Sequence, residues 1–341
     1  MPPIIAGDFI AMRPPLTLAV TLRTLAALSS IALLALGVAV ASGSVSVSMH
    51  DVTAALAGDT QREGALIVRE LRLPRALAAF GAGGLLALAG ALMQVLLRNP
   101  LADPYVLGIS GGAAVGALGA MTLGASLWVG PAAFAGALVS TLTVFALARA
   151  GSEQSAWAPT RLLLTGVVVA AGWGAVIALL LTLAPAAQLK GMVYWLLGDL
   201  AGASAPGASL AVLATVLALA MTISRDLNAL SQGALDAASV GVDVARVTLA
   251  LYVLGALATA AAVTTAGNIG FIGLIVPHAM RLALGNDQRL LLPACALAGG
   301  TLLVVADTAA RTVVSPLELP VGVLTALIGV PAFLWLLHRT R

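Results

Sequence analysis

Long, uninterrupted apolar runs dominate this chain, beginning with the segment from Leu16 to Ala41. Hydrophobic residues make up 60% of the 341 positions and charged residues only 9%, and the mean hydropathy is +1.06. This ratio excludes a soluble globular protein, and the runs lack the alternation typical of a transmembrane barrel. We therefore predict an all-α, multi-pass membrane protein.

About ten transmembrane helices are predicted, because a membrane-spanning helix needs roughly 20 mainly apolar residues. The first run is too long for the apolar region of a signal peptide, so we keep it as a span. No loop is long enough for a second folded domain, so residues 1–341 are predicted to form a single transmembrane domain. The predicted spans are 16–41, 74–97, 105–125, 131–149, 160–184, 207–224, 246–266, 270–284, 290–308 and 320–338.

The basic residues predict the orientation of these spans. With a cytoplasmic N-terminus, six of the 17 basic residues lie outside, namely Arg62, Arg69, Arg72, Arg75, Lys190 and Arg311. Eleven then lie inside: Arg13, Arg23, Arg98, Arg149, Arg161, Arg225, Arg246, Arg281, Arg289, Arg339 and Arg341. The excess favours cytoplasmic N- and C-termini. A net charge of +3 from so few groups does not point to nucleic acid.

Two segments rich in Gly and Pro, at 98–104 and 267–278, interrupt the apolar pattern. Irregular backbone at membrane depth persists only against protein or a water-filled cavity. The second and seventh spans each lead into one interruption, and they run in opposite directions. This arrangement predicts an inverted repeat of helices 2–5 and 7–10, as found in many transporters.

The sequence contains no Walker-type ATP site. The single lysine, Lys190, lies between Leu189 and Gly191, so the Gly-Lys-Ser/Thr of a phosphate-binding loop is absent. The carboxylates lie almost entirely at predicted span ends or in loops, with Asp307 the most nearly intramembrane, which disfavours ion coupling. Three scattered histidines and one cysteine predict neither a metal site nor a catalytic residue. A pore driven by a partner is favoured. An ion-coupled secondary carrier and a non-transporting scaffold remain open.

An ordered series of motifs resembles the FecCD or cobalamin-permease-like family, the permease subunits of type II ABC importers for iron-siderophores, haem and vitamin B12. The motifs are Leu71–Arg75, Gly90 with Gln94, Asn99–Pro104, Leu107-Gly108, Trp195–Gly198, Leu227–Gly241, Ile269–Arg281, Ala306-Asp307, Glu318–Gly322 and Gly329–Pro331. The resemblance implies a homodimer in a bacterial inner membrane, two separate ATPase subunits and a periplasmic substrate-binding protein. It also implies a metal chelate as cargo, with no permanent cofactor.

The resemblance assigns Arg72, Arg75 and Arg311 to the outer face, where they would meet glutamates of the binding protein. Complementary charges on a rim contribute to orientation and association rate more than to affinity. The alternative is that these arginines only anchor span ends at the lipid headgroups. For Arg69 both interpretations remain open.

The connection from Ser224 to Arg246 resembles the coupling helix that contacts the ATPase. We assign this coupling to Leu227, Asn228, Gly233, Ala237 and Gly241. Because the small residues 233, 237 and 241 recur every four positions, they predict a helix with one smooth face. The alternative is an ordinary polar connector.

The resemblance also places Pro159, Thr160, Thr165 and Gly166 in the pathway or its cytoplasmic gate, whereas composition alone predicts another packed helix. The row Gly108, Gly112 and Gly116 predicts close helix packing within the subunit, with a dimer contact as the second interpretation. We interpret the lone His278 as structural or interfacial.

The segment Tyr194–Leu200 resembles haem-uptake permeases, so haem is the favoured cargo. Ferric siderophores and cobalamin remain alternatives, because members that carry them share the other motifs. Asp199 departs from many members, which are less polar at that position.

Overall fold

The computed structural model describes residues 17–59, 62–150, 159–203 and 205–339, and every regular element in these ranges is helical. The first eight helices are α1 Leu18–Ala41, α2 Met49–Leu56, α3 Glu63–Ile67, α4 Leu73–Leu96, α5 Ile109–Thr122, α6 Val129–Arg149, α7 Pro159–Leu183 and α8 Ala186–Leu196. The remainder are α9 Pro206–Thr222, α10 Ser224–Gln232, α11 Ala234–Ser239, α12 Val244–Ala266, α13 Ile272–Leu284, α14 Gln288–Thr312 and α15 Val321–Arg339. Arg13, Leu16 and Arg341, which we used to predict spans and orientation, lie outside the described residues.

The prediction of an all-α membrane protein is confirmed. Among the described residues, six helices are long and apolar enough to cross a membrane, and the 17-residue α9 is followed at an angle of 65° by α10. Three shorter apolar helices, α5, α13 and α15, lie where we predicted the third, eighth and tenth spans. Every predicted span therefore corresponds to a helix.

The order of helix lengths repeats along the chain. The 24-residue α4 is followed by a break, the 14-residue α5 and two longer helices. The 23-residue α12 is likewise followed by a break, the 13-residue α13 and two longer helices. This order matches the predicted correspondence of helices 2–5 with helices 7–10.

Helix α4 is the centre of the structure and packs against α14, α12, α9 and α13. The apolar stretch of the helical segment that contains α4 is 89% buried inside the bundle, whereas that of α7 is 11% buried. Small residues allow this packing, since a Cβ at Gly90 would overlap the carbonyl oxygen of Gly273 and one at Gly83 would overlap that of Gly299. Without a hydrophobic driving force between helices in lipid, such close backbone contact is what holds them together.

The glycine row of α5 packs within the subunit, as predicted. A Cβ at Gly112 would overlap the carbonyl oxygen of Gly136, and one at Gly116 would overlap that of Ala132. Both contacts are with α6, so the first interpretation of the row is confirmed.

The two predicted interruptions contact each other, through Pro104 beside Gly273 and through Tyr105, which directly follows the first interruption. The Tyr105 hydroxyl donates to the carbonyl oxygen of Ile269 at 3.0 Å and accepts from the amide nitrogen of Ile269 at 3.2 Å. The first interruption also contains Arg98 and the second Phe271, both with left-handed backbone at φ 47° and φ 71°. Irregular backbone inside the bundle thus obtains polar partners from the other break, as a lipid environment requires.

Replacing Gly90 with Ala tests the packing of α4. Because the new methyl group meets backbone rather than a flexible side chain, we expect Gly90→Ala to lower the free energy of unfolding by about 1–3 kcal/mol. Gly37→Ala on α1 is the matched control, since no atom lies within 4 Å of its added Cβ. Thermal unfolding of the purified variants in detergent measures both, and a Gly90→Ala protein as stable as the control would contradict this packing.

Candidate functional site

Two of the arginines predicted at the outer face, Arg75 and Arg311, pair with one buried carboxylate, Asp307. Arg75 Nη2 lies 2.9 Å from Asp307 Oδ1, and Arg311 Nε lies 3.1 Å from Asp307 Oδ2. Arg75 Nη1 also donates to Glu318 Oε2 at 2.7 Å. Asp307 is 1% exposed, so its charge is balanced almost entirely by these arginines. We call Arg72, Arg75, Asp307, Arg311 and Glu318 the arginine cluster.

The cluster also caps the carboxyl end of α1. Arg72 Nη1 donates to the carbonyl oxygens of Val40 and Ala41 at 3.1 and 2.8 Å, and its Nη2 donates to that of Val45. Arg311 donates to the carbonyl oxygens of Ala39 and Ser42 at 3.2 and 3.3 Å. The last carbonyls of a helix have no partner within the helix and carry partial negative charge, so arginines stabilise them. These bonds join α1 to α4 and α14.

This geometry changes the interpretation of the three arginines. Arg72 and Arg311 are each 4% exposed and Arg75 is 9% exposed, with donors committed within the chain. Their guanidinium groups are bound inside the protein. The described chain presents more accessible charge at Arg69, half-exposed beside Glu70, and at the partly exposed carboxylate of Glu318. Contact between the arginine cluster and a binding protein stays a prediction.

The 224–246 connection folds as two short helices, α10 and α11, attached to the start of α14. Asn228 Nδ2 donates to Asp287 Oδ1 at 2.9 Å, and Asn228 Oδ1 accepts from the amide nitrogen of Gln288 at 2.8 Å. Leu227 is fully buried on the same helix. A single asparagine thus fixes α10 to the N-terminus of a helix that crosses the whole bundle.

The prediction that this connection forms one helix with a smooth face is wrong. Gly233 has φ 151° and lies between α10 and α11, and Gly241 has φ 88° and lies beyond the end of α11. Ala237, between them, is fully buried. The periodicity argument assumed one continuous helix, and the two glycines break it. The surface of the connection is instead apolar at Leu235 and Val240, which are 87% and 71% exposed.

The predicted gate residues have mixed environments. Gly166 is buried, and a Cβ there would overlap the carbonyl oxygen of Val106, so it serves close packing of α7 on the 104–107 turn. Thr165 is half-buried and Thr160 is exposed. Pro159 is the first residue of α7. Ala158, which precedes it in the sequence, lies outside the described residues.

The choice of haem as the favoured cargo is based on the segment 194–200. This segment ends α8 and contacts the second interruption. The amide nitrogen of Asp199 donates to the carbonyl oxygen of Ala266 at 3.0 Å, and Gly198 has φ 80°. The Asp199 carboxylate accepts from the amide nitrogen of Ala201 at 2.9 Å. Asp199 therefore forms a local turn.

The described residues contain no group of three His, Cys, Asp or Glu side chains placed to hold a metal ion. His278 is buried and meets Phe333 edge-on, with ring centroids 6.5 Å apart. This position agrees with a structural interpretation of His278.

Replacing Asp307 with Asn tests the arginine cluster. Loss of the buried negative charge leaves Arg75 and Arg311 uncompensated, so we expect the free energy of unfolding to fall by about 3 kcal/mol or more. Asp243→Asn is the matched control, because Asp243 pairs with an exposed arginine, Arg246, at 2.9 Å and Asn preserves its helix cap. The control should cost at most about 1 kcal/mol. Equal thermal unfolding of the two variants would show that the cluster does not stabilise the bundle.

Known proteins are similar to this chain in sequence, and a solved transporter is similar in fold. A cobalamin import system permease protein, BtuC, from Halobacterium salinarum is 45% identical over 278 residues, which cover 80% of this chain and 73% of that protein. The hemin transport system permease protein HmuU of Yersinia pestis is 44% identical over 283 residues, which cover 80% of this chain and 83% of that protein. A metal-chelate-type ABC transporter solved in an inward-facing conformation is similar in structure, with TM-score 0.79, 28% identity, and coverage of 93% of this chain and 99% of that chain.

The FecCD transport family matches residues 31–339, nearly the whole of the described structure. That match and the two relatives confirm the family resemblance seen in the motifs. This chain belongs to the FecCD transport family.

Proposed function

We propose that this chain is the transmembrane permease subunit of an ATP-driven importer that brings a bulky metal-chelate cofactor into the cell. The single observation that carries this is the family match over residues 31–339 on a bundle of apolar helices. Residues 1–341 act as one permease domain, and ATP hydrolysis takes place on a separate subunit. The relatives, named for cobalamin and hemin transport, support this class of cargo.

The assembly we propose is a homodimer in a bacterial inner membrane, with cytoplasmic termini, two ATPase subunits and a periplasmic binding protein. Only 11% of the most apolar stretch of α7 is buried within one chain, so this surface must face either lipid or a second subunit. The arginine cluster lies at the end facing the binding protein, and the 224–246 connection lies at the ATPase end.

Haem is the first cargo to test, and cobalamin and ferric siderophores are the alternatives. The proposal for haem rests on the segment 194–200, where the main chain contacts Ala266 beside the second interruption. The two relatives have nearly equal identity, 45% for the cobalamin permease and 44% for the hemin permease, and they favour neither cargo.

Reconstitution into liposomes tests the function. With the ATPase subunit, the binding protein and ATP, we expect uptake of haem, and no uptake when the ATPase subunit is catalytically inactive. Uptake by the permease alone under a proton or sodium gradient would reject the proposal and favour the secondary carrier. Uptake of labelled cobalamin or ferric siderophore but not haem would change the cargo while preserving the mechanism.

Replacing Leu235 with Asp tests which end of the bundle binds the ATPase. A charge in the exposed apolar surface of the connection should weaken ATPase binding at least about tenfold, because buried apolar anchors dominate interface energies. Leu127→Asp is the matched control, since Leu127 is 91% exposed and precedes α6 at the predicted outer end. The measurement is the Kd of the purified ATPase subunit for each permease in nanodiscs. A loss of affinity in the control alone would reverse the proposed orientation.

A further inference from the structure

A cleft of about 240 Å³ opens where α4 ends, beside α10 and the end of α13. Gln94, Arg98, Ser231, Arg281 and Asn286 line it. It adjoins a second cleft that Asn228 of α10 also lines. The two clefts make one polar surface continuous with the predicted coupling residues.

Arg281 is held in this cleft by neutral groups. Its Nη1 donates to Gln94 Oε1 at 2.8 Å, and its Nε donates to Asn286 Oδ1 at 2.9 Å. Arg98 is exposed at the rim of the cleft, and its own backbone is left-handed, with φ 47°. Neither arginine is among the ion pairs formed by the described residues. The cleft therefore carries two positive charges. Amide oxygens orient the guanidinium of Arg281 but do not neutralise it.

Asp287, an acidic residue near the cleft, does not neutralise Arg98 or Arg281. Asp287 lines the neighbouring cleft, where its Oδ1 accepts from Asn228 Nδ2 at 2.9 Å and from the amide nitrogen of Arg289 at 3.0 Å. Those bonds hold Asp287 at the N-terminus of α14. Since a partly buried guanidinium prefers a carboxylate to amide oxygens alone, the cleft is suited to an incoming anion.

We propose that this cleft receives an Asp or Glu side chain of the ATPase subunit and binds it between Arg98 and Arg281. The inference rests on the proposed function, and it adds a charged contact to the apolar surface of the 224–246 connection. The position favours a protein carboxylate over a lipid phosphate, because Ser231 of α10 forms one wall and the connection would lie in the same interface. The carboxylate would take the free donors of Arg281 and the whole guanidinium of Arg98.

Binding of the purified ATPase subunit to the permease in phosphatidylcholine nanodiscs tests the proposal. We expect Arg98→Glu and Arg281→Gln each to raise the Kd at least about 30-fold, because truncating or reversing one partner of a charge pair at an interface is costly. Arg281→Lys should have a smaller effect. The wild-type Kd should rise with salt, and this dependence should be weaker in Arg98→Glu.

Arg149→Glu is the matched control. Arg149 is an exposed arginine at the end of α6, at the same predicted end of the bundle but outside both the cleft and the 224–246 connection, and the variant should retain the wild-type Kd. Thermal unfolding of each variant identifies any that is misfolded. Because Arg98 is exposed, Arg98→Glu should remain folded even if Arg281→Gln does not. Restoration of Arg98→Glu binding by one Asp→Arg or Glu→Arg change on the ATPase would identify the partner carboxylate.

Two results would overturn the inference while the proposed function stands. One is ATP-driven uptake and an unchanged Kd in folded Arg98→Glu. The other is an Arg98→Glu protein with an unchanged Kd that no longer binds the phosphatidylglycerol seen on the wild-type protein by native mass spectrometry. That result would make the cleft a lipid-headgroup site. If the wild-type permease binds no ATPase subunit and transports without ATP, the proposed function itself fails.

Discussion

Close backbone contact around α4 is the constraint on which the rest of the bundle depends. In a bilayer, lipid tails are as apolar as leucine, so helices associate through van der Waals contact rather than through exclusion of water. Gly83 contacts Gly299 of α14, and Gly90 contacts Gly273 of α13. Because α4 is surrounded by α9, α12, α13 and α14, these contacts also fix where those helices lie relative to one another.

Polar contacts appear where the helical pattern stops. Tyr105, directly after the first interruption, binds both backbone groups of Ile269 in the second, and Arg72 and Arg311 bind the last carbonyls of α1. A lipid-embedded chain must satisfy such groups internally, since water is not available. The family motifs Asn99–Pro104, Ile269–Arg281 and Ala306-Asp307 therefore lie at or beside places where the backbone needs a partner from another part of the chain.

Much of the fold could be predicted from the sequence, because apolar runs of about 20 residues have few alternatives in a membrane. The close packing at Gly112 was also predictable from its spacing. The ion pair of Asp307 with Arg311 is visible as an i, i+4 spacing, but its pairing with Arg75, 232 positions away, arises only in the folded bundle. The smooth face at Gly233 was mispredicted because spacing does not reveal a φ of 151°.

Helix α14 connects the two candidate sites. Its first turn is bound by Asn228 of the connection, and its last turns supply Asp307 and Arg311 to the arginine cluster. Its 25 residues extend about 37 Å at 1.5 Å per residue. If α10 moves while its bonds to Asp287 and Gln288 persist, the start of α14 moves with it. The close contact between Gly83 and Gly299 then restricts tilting, so the displacement must reach the cluster or be absorbed by bending at Pro293. In the proposed importer, one helix would thus connect the end that binds the ATPase to the end that faces the binding protein.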